Sequence, residues 1–494
     1  MRLVFPSYEF ILFFLPVCLA GYYGLRRLTA DRANGAAIRR GFLALVSVLF
    51  YLSFGARNLL ILSLQAAGTL LIAKLLLYFR TGRRGLCVYA AGIVLNLLLL
   101  CFYKYASPVL PVALSFTTFS AIWFLTDVRS GEITAFDPLQ WLSYFFFFPK
   151  LLQGPIMRYT DFLERAKEAA VTPPTKERFA KACLYFVLGL SKKVLLADAL
   201  AAGADLAYSA PADLLWSEAV LTVFVYAFQI YFDFSGYCDM GRAVAWLFGF
   251  DLPVNFDRPY RSENIRDFWH RWHATLNAFF AANLYIPLGG GRKGLPRKIM
   301  NIMIVFILSG LWHGSGAGFL IWGIAHGLLT CVCACLKKPL PLPRFVKRLC
   351  TFVFVSLAWV PFRAESLRDA GTLLRKLWNV PWFVLHDRFI DPFRNDLIWY
   401  PLKVLGVPDA RTGGIICMWL LLAVSAFLVF VSPDAVRLAE KAGVFMTGPD
   451  GGEEAHGGRG RLAGTVGLAA GIALLFVLCI LSLGNVSSFV YFNF

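Results

Sequence analysis

Long apolar runs alternate with short polar segments along nearly the whole chain. The runs recur at roughly 17–25 residues, a length that crosses the ~30 Å hydrocarbon core of a bilayer as an α-helix. Within a run the apolar residues are continuous and do not alternate with polar ones, which disfavours the strands of a β-barrel. An open sheet would leave backbone groups unsatisfied in lipid. The pattern therefore predicts an all-α polytopic membrane protein.

The composition agrees with many membrane helices. Hydrophobic residues make up 58% of the chain and charged residues 16%, whereas soluble domains carry about 25% charged residues. We expect about eleven true crossings, while the remaining apolar segments re-enter the membrane without crossing it. The apolar segments are 9–26, 41–56, 59–79, 86–105, 109–126, 138–152, 180–200, 217–237, 299–313, 316–336, 345–362, 413–432 and 463–483.

The domain organisation is predicted to be simple. Residues 1–494 are expected to form one transmembrane domain, and no internal repeat of 20–50 residues divides them. Residues 363–412 form a polar and aromatic excursion between apolar runs. Residues 433–462 are rich in glycine and are predicted to be a flexible cytoplasmic linker.

The positive charge of the chain is concentrated between the apolar runs. The net charge is +18, and basic residues cluster at 26–40, 80–84, 292–298 and 337–348. In a soluble protein this excess would suggest nucleic-acid binding. Short basic loops between membrane helices instead follow the positive-inside rule and indicate the cytoplasmic side. We therefore expect a lipid bilayer, and no nucleic acid, as the partner of these charges.

One central segment does not fit a simple crossing. Residues 263–288 are too charged for a lipid-facing helix and too aromatic for a solvated loop. They are predicted to form one or two helices that dip into the membrane and line a cavity, and an amphipathic helix in the interface is the alternative. Residues 265–278 contain neither glycine nor proline and are predicted to be one helix. Such a helix would place Trp269, His273 and Asn277 on one face.

A second histidine lies at the end of an apolar run. His313 follows the apolar residues 299–312 and precedes the glycine-rich residues 314–318, which we expect to leave open space beside it. Burial disfavours the imidazolium cation, so a buried neutral imidazole could accept a proton as a general base. The alternative is a histidine that joins two helices by hydrogen bonds.

Other familiar catalytic patterns are weak. Residues 232–240, "FDFSGYCDM", contain Ser235 and Asp239, but no histidine is close to them in sequence. The histidines lack the short ligand spacing that is usual in zinc sites, so no metal site is predicted.

Several motifs resemble those of the membrane-bound O-acyltransferases, and the bacterial branch typified by the alginate O-acetyltransferase membrane subunit is the closest. They occur in order between about residues 111 and 368, which is the predicted motif-bearing core. This resemblance implies a shell of helices around a central tunnel. The motifs are "PVALSFTTFSAIWFLTDV", "FFFFPKLLQGPIMRYTDF", "YFDFSGYCDMGRAVAWLFGFDLPVNFDRPYRSENIRDFWHRWHATL", "LYIPLGGGRKG", "SGLWHG" and "LAWVPFRAESL".

The resemblance also implies which residues act. The two histidine motifs of the family fall on His273 and His313, which are therefore the implied catalytic residues. The resemblance implies that His313 takes a proton, while His273 or Asn277 orients the acceptor or polarises the carbonyl. The further candidates for lining the tunnel or contacting substrate are Asn277, Trp269, Trp272, Trp312, Ser235, Asp239 and His326.

The chain departs from the family pattern at three positions. His270 stands where arginine is common, Asn277 stands where serine is usual, and Ala317 replaces a frequent tryptophan. Because of the change at Ala317, the resemblance does not indicate the width of the tunnel or the size of the acyl group that it admits.

The activity implied by the resemblance is acyl transfer across a bacterial inner membrane. An acetyl group would move from a cytoplasmic thioester donor, acetyl-CoA or an acyl carrier, to an exported alginate-like polysaccharide. A periplasmic partner of the SGNH-hydrolase type would complete the transfer, and no cofactor would stay bound. The alternatives are a D-alanyl transferase of the teichoic-acid type and a non-enzymatic transporter or scaffold. We see no inverted repeat and expect no buried acid, and both points disfavour a proton-coupled transporter.

Overall fold

A computed structural model describes residues 2–171, 175–336, 340–380, 382–433, 435, 437–439 and 459–485. Within these ranges all regular structure is helical. Nine of the described helices are long and apolar enough to cross a membrane, and Val466–Ser482 is a shorter apolar helix. The number of about eleven crossings therefore stays a prediction. The nine are Glu9–Leu28, Gly35–Leu52, Ala56–Tyr78, Gly82–Ala106, Trp216–Leu247, Leu295–His313, Ala317–Cys335, Arg344–Arg363 and Ala410–Phe430.

Shorter helices fill the segments between these nine. The expected apolar segment 138–152 is broken at Phe147, whose ψ of 103° is not helical and separates helix Pro138–Phe146 from helix Phe148–Leu151. The segment 180–200 is instead longer than expected, since a π-helical turn at Lys192–Ala197 joins two α-helices. The shorter α-helices are Leu114–Ser130, Pro138–Phe146, Phe148–Leu151, Tyr159–Val171, Lys176–Ser191, Asp198–Ser209, Ile265–Arg271, Ala274–Phe280, Leu367–Lys376, Asp387–Ile390 and Asp396–Val404.

The contacts of the described residues divide into two compact units. The first unit contains residues 1–186, 237–254 and 439–467, and the second contains residues 187–236, 255–438 and 468–494. Helix Trp216–Leu247 contributes to both units, and 89% of its most apolar window is buried. Protein therefore surrounds most of this window. The single transmembrane domain remains a prediction.

A close helix pair in the second unit positions His313. Helices Leu295–His313 and Ala317–Cys335 cross at small residues. A side chain at Gly310 would lie 2.6 Å from the carbonyl oxygen of Phe319, and one at Gly323 would collide with the carbonyl oxygen of Phe306. Small residues let membrane helices approach closely and gain van der Waals contact. The pair therefore holds the end of the first helix, where His313 lies, against the start of the second.

The polar excursion 363–412 is anchored within the second unit. The buried carboxylate of Glu218 accepts a hydrogen bond from the backbone N–H of His386 at 2.6 Å and one from Leu215 at 2.8 Å. The predicted linker 433–462 lies mostly outside the described residues, and so does His456.

Candidate active site

The segment that carries His273 is broken exactly where the sequence pattern predicts a continuous helix. Helix Ile265–Arg271 ends, Trp272 is extended, His273 takes a left-handed conformation with φ 46° and ψ 47°, and helix Ala274–Phe280 then begins. The prediction of one helix over 265–278 was wrong, so Trp269, His273 and Asn277 do not share one helical face. A left-handed non-glycine residue costs about 1–3 kcal/mol and persists only where its surroundings impose it.

Asn255 imposes this conformation from 18 residues earlier. Its backbone carbonyl accepts a hydrogen bond from the N–H of Ala274 at 3.0 Å, and its side-chain Oδ1 accepts one from the N–H of Thr275 at 3.3 Å. The first N–H groups of a helix have no partner within the helix. Asn255 satisfies two of them, and this compensates for the strained conformation at His273.

The same amide determines the tautomer of His273. Asn255 Oδ1 lies 3.2 Å from His273 Nδ1 and accepts a hydrogen bond from the Thr275 hydroxyl at 2.9 Å. Because the backbone N–H of Thr275 can only donate, the amide atom at this point is the oxygen. His273 Nδ1 must then be the donor, and Nε2 carries the lone pair. The ring is only 2% exposed, so His273 is a buried, neutral imidazole whose lone pair is at Nε2.

Aromatic rings surround His273. The edge of Phe234 meets the imidazole at a ring-centroid distance of 4.8 Å, and Phe256 lies at 6.4 Å. The neighbouring Trp272 is buried and packs against Phe256 and Trp359, with ring centroids 5.0 and 5.1 Å away. This apolar wall keeps bulk water from the imidazole.

His313 is the last residue of its helix and is also buried. Its imidazole packs against Trp312, Trp322 and Phe362, at ring-centroid distances of 4.5, 4.9 and 5.1 Å. The expectation of open space at the following glycines was wrong at Gly314, since the ring of Phe319 occupies the place where a side chain would lie. This glycine makes room for a packed ring.

His326 joins two elements of the second unit. Its Nδ1 accepts a hydrogen bond from Trp269 Nε1 at 3.3 Å, so the proton of the neutral ring is on Nε2. The ring is fully buried and lies 5.1 Å from Trp322. This contact ties helix Ile265–Arg271 to helix Ala317–Cys335.

A chain of tryptophans connects the two histidine segments. Trp272 contacts Trp359, Trp359 stacks on Trp322 at 5.7 Å, and Trp322 meets the edge of His313. Because Trp272 directly precedes His273, the packing brings both histidines to the ends of one continuous aromatic cluster.

The remaining predicted residues fall in different surroundings. Ser235 is buried in the second unit, while Asn277 and Trp312 are half-buried there. Asp239 belongs to the first unit, where its carboxylate accepts a hydrogen bond from the Tyr185 hydroxyl at 2.5 Å.

A buried ionic triad was not predicted. Lys193 Nζ lies 2.8 Å from carboxylate oxygens of both Asp198 and Asp233, and all three side chains are at most 7% exposed. The expectation of no buried acid was therefore wrong. Ionisable residues in an apolar run are costly and often functional. Lys193 in the predicted apolar segment 180–200 is such a residue, and it could have indicated a buried ionic cluster from the sequence. Within the described residues no group of three metal-ligating side chains could hold a metal ion.

Comparison with known proteins identifies the family. Residues 69–360 match the MBOAT, membrane-bound O-acyltransferase family, and this range contains both catalytic candidates. The chain belongs to the membrane-bound O-acyltransferase family. It is a multi-pass membrane O-acyltransferase, with nine candidate spans among its described residues.

Relatives named as O-acetylases match most of the chain, and one named as a D-alanyltransferase matches less than half. The "Peptidoglycan O-acetyltransferase" of Helicobacter pylori is 32% identical over 421 residues, which cover 76% of this chain and 79% of the relative. The "Probable alginate O-acetylase AlgI" of Pseudomonas aeruginosa is 32% identical over 409 residues, covering 76% and 75%. The "Teichoic acid D-alanyltransferase" of Bacillus subtilis is 30% identical over 234 residues, covering 44% and 58%. The similarity to the named O-acetylases thus extends over a larger share of the chain.

Proposed function

We propose that this enzyme moves acetyl groups from a cytoplasmic thioester, acetyl-CoA or an acyl carrier, across a bacterial inner membrane to an exported polysaccharide. The observation that carries the proposal is the extent of similarity, 76% of the chain for relatives named as O-acetylases against 44% for a D-alanyltransferase. A periplasmic protein of the SGNH-hydrolase type completes the transfer to an alginate-like or related glycan. No cofactor stays bound.

The buried imidazoles provide the acid–base chemistry in this proposal. The acceptor hydroxyl attacks the thioester carbonyl carbon while an imidazole nitrogen takes its proton. The tetrahedral intermediate then expels the thiolate, which receives that proton back from the imidazolium. We assign His313 and His273 to this step, with His313 as the base. The lone pair at Nε2 makes His273 a second candidate proton acceptor. Separate variants of His313 and His273 distinguish their roles.

Reconstituted transfer tests the proposal. Proteoliposomes would receive labelled acetyl-CoA outside and a polysaccharide acceptor with the periplasmic partner inside. His313→Ala and His273→Ala should each lower the transfer rate by at least ~10²-fold, the lower bound for losing a general base. His270→Ala is the matched control because His270 is exposed. Transfer from a D-alanyl carrier but not from any acetyl thioester would refute the acetyl assignment, and near-normal transfer by a well-folded His313→Ala would refute its role.

A further inference from the structure

A glycine-rich turn comes directly before one of the membrane helices of the second unit. This glycine turn is residues 288–294, "LGGGRKG", and helix Leu295–His313 follows it. Gly289 and Gly290 have φ of 103° and 56°, which residues with a side chain rarely adopt. Because the following helix is a candidate membrane span, we expect the turn at the membrane surface, on the cytoplasmic side that its basic residues indicate.

Side chains of that helix hold the glycine turn in place. Asn301, which is fully buried, donates a hydrogen bond from Nδ2 to the carbonyl oxygen of Gly290 at 2.9 Å. Arg297 donates two hydrogen bonds to the carbonyl oxygen of Leu288, both at 3.2 Å. Because the Gly290 carbonyl points toward Asn301, the N–H of Gly291 in the same planar trans peptide points away from it. This N–H makes no hydrogen bond within the described residues.

Three side chains with hydrogen-bond donors lie beside the glycine turn. A Cβ atom added at Gly291 would lie 3.5 Å from the Tyr285 hydroxyl oxygen and 3.5 Å from Cδ of Lys298. A Cβ atom added at Gly289 would lie 3.2 Å from Cδ of Lys293. The hydroxyl and the two ammonium groups make no hydrogen bond or ion pair with the part of the chain that the structure describes. The turn is therefore bordered by polar donors that the described residues leave unused.

This arrangement goes beyond what membrane topology requires. The positive-inside rule explains basic residues in a cytoplasmic loop by their charge alone. It requires neither a turn fixed by a buried asparagine nor a tyrosine hydroxyl next to a lysine side chain. A phosphate group suits such a set of donors, because it carries up to two negative charges and several oxygen atoms that accept hydrogen bonds from ammonium, hydroxyl and N–H groups. A carboxylate carries one charge and has only two such oxygen atoms.

We propose that the glycine turn binds a phosphate group. The ammonium groups of Lys293 and Lys298 balance its charge. The Tyr285 hydroxyl and the Gly291 N–H donate hydrogen bonds to its oxygen atoms. Two kinds of molecule at a cytoplasmic membrane surface can supply this group, a phosphate-bearing thioester donor and an anionic lipid. Binding at the turn does not require acetyl transfer, so the site is independent of the proposed function.

Ligand binding by the purified full chain in detergent tests this assignment, with native mass spectrometry as the readout. One arm titrates coenzyme A, which carries phosphate groups but no acyl group. The other arm compares phosphatidylglycerol with phosphatidylcholine of equal chain length. Lys293→Gln/Lys298→Gln should weaken binding of the preferred ligand by about 30-fold, since each basic residue near a phosphate-bearing surface contributes roughly fivefold. Tyr285→Phe keeps every charge, removes one donor to an anion and should weaken binding by about tenfold.

The matched control is Arg83→Gln/Arg84→Gln, which removes two charges at exposed positions of another basic segment and should bind like the wild type. Thermal unfolding verifies that each variant is folded.

The two arms identify the source of the phosphate. Binding of coenzyme A that Tyr285→Phe weakens would assign the site to the thioester donor, and selective binding of phosphatidylglycerol with the same loss would assign it to a lipid head group. Coenzyme A bound at the turn of a protein that transfers no acetyl group would support this site and count against the proposed function. Binding of neither ligand, full binding by Tyr285→Phe, or an equal loss in the control variant would overturn the assignment.

Discussion

Replacing Asn255 by alanine would test whether the tautomer of His273 matters for transfer. The side-chain oxygen accepts from three donors, at 3.2 Å from His273 Nδ1, 2.9 Å from the Thr275 hydroxyl and 3.3 Å from its N–H. The hydroxyl can rotate to another acceptor, but the other two donors are buried and fixed. Each buried donor left unsatisfied costs about 1–3 kcal/mol. Asn255→Ala should therefore destabilise the protein by about 2–6 kcal/mol.

Asn255→Ala should also slow transfer by the molecules that remain folded. Without the amide oxygen, the proton on Nδ1 loses this acceptor, which costs about 1–3 kcal/mol and shifts the tautomer ratio by about 5- to 150-fold toward the form with the proton on Nε2. We expect kcat per folded enzyme to fall by up to that factor, because the Nε2 proton removes the lone pair that would accept the proton of the acceptor. The assay is acetyl transfer in proteoliposomes, normalised to folded protein measured by thermal unfolding in detergent.

Two further variants separate positioning from packing. Thr275→Val removes one hydroxyl and leaves the bond between Asn255 and His273, so activity should stay within about threefold of the wild type. Asn255→Asp keeps the acceptor oxygen but adds a negative charge that stabilises the imidazolium. The acid limb of its pH–rate profile should therefore move to higher pH. If Asn255→Ala and Thr275→Val lose the same activity, or if folded Asn255→Ala transfers at the normal rate, the reasoning about the tautomer is refuted.

Three other expectations concern stability and topology. Lys193→Met should destabilise the protein by about 3–5 kcal/mol, because it leaves buried carboxylates uncompensated. The melting temperature should recover when both carboxylates of the triad are also replaced by amides. An unchanged melting temperature in Lys193→Met alone would contradict this expectation. Gly323→Ala should lower the melting temperature because its side chain meets the carbonyl of Phe306, whereas Gly68→Ala, with open space around it, should not. An Arg32→Cys variant of a chain without other cysteines should not be labelled by an impermeant thiol reagent in intact cells, since its loop is expected in the cytoplasm. Ready labelling would mean that the predicted topology is reversed.

The helical class and the family could be predicted from local stretches of the chain. An apolar run of sufficient length must form a helix in lipid, because no other single segment satisfies its own backbone there. Segments such as 217–237 and 299–313 could thus be predicted from local composition, and both fall within described helices. The two histidine motifs could be recognised because their residues are adjacent in the chain.

The surroundings of those histidines depend on contacts between residues that are far apart in the chain. Local propensity favours one helix over 265–278, but the hydrogen bonds that Ala274 and Thr275 donate to Asn255, 18 residues before His273, outweigh it and break the helix at His273. The partner of Lys193 on a neighbouring helix, Asp233, is likewise 40 residues away in the chain. The space beside Gly314 is filled by Phe319 of the following helix. Periodicity describes which residues share a face within one element, whereas contacts between elements depend on packing, which brings distant residues within bonding distance.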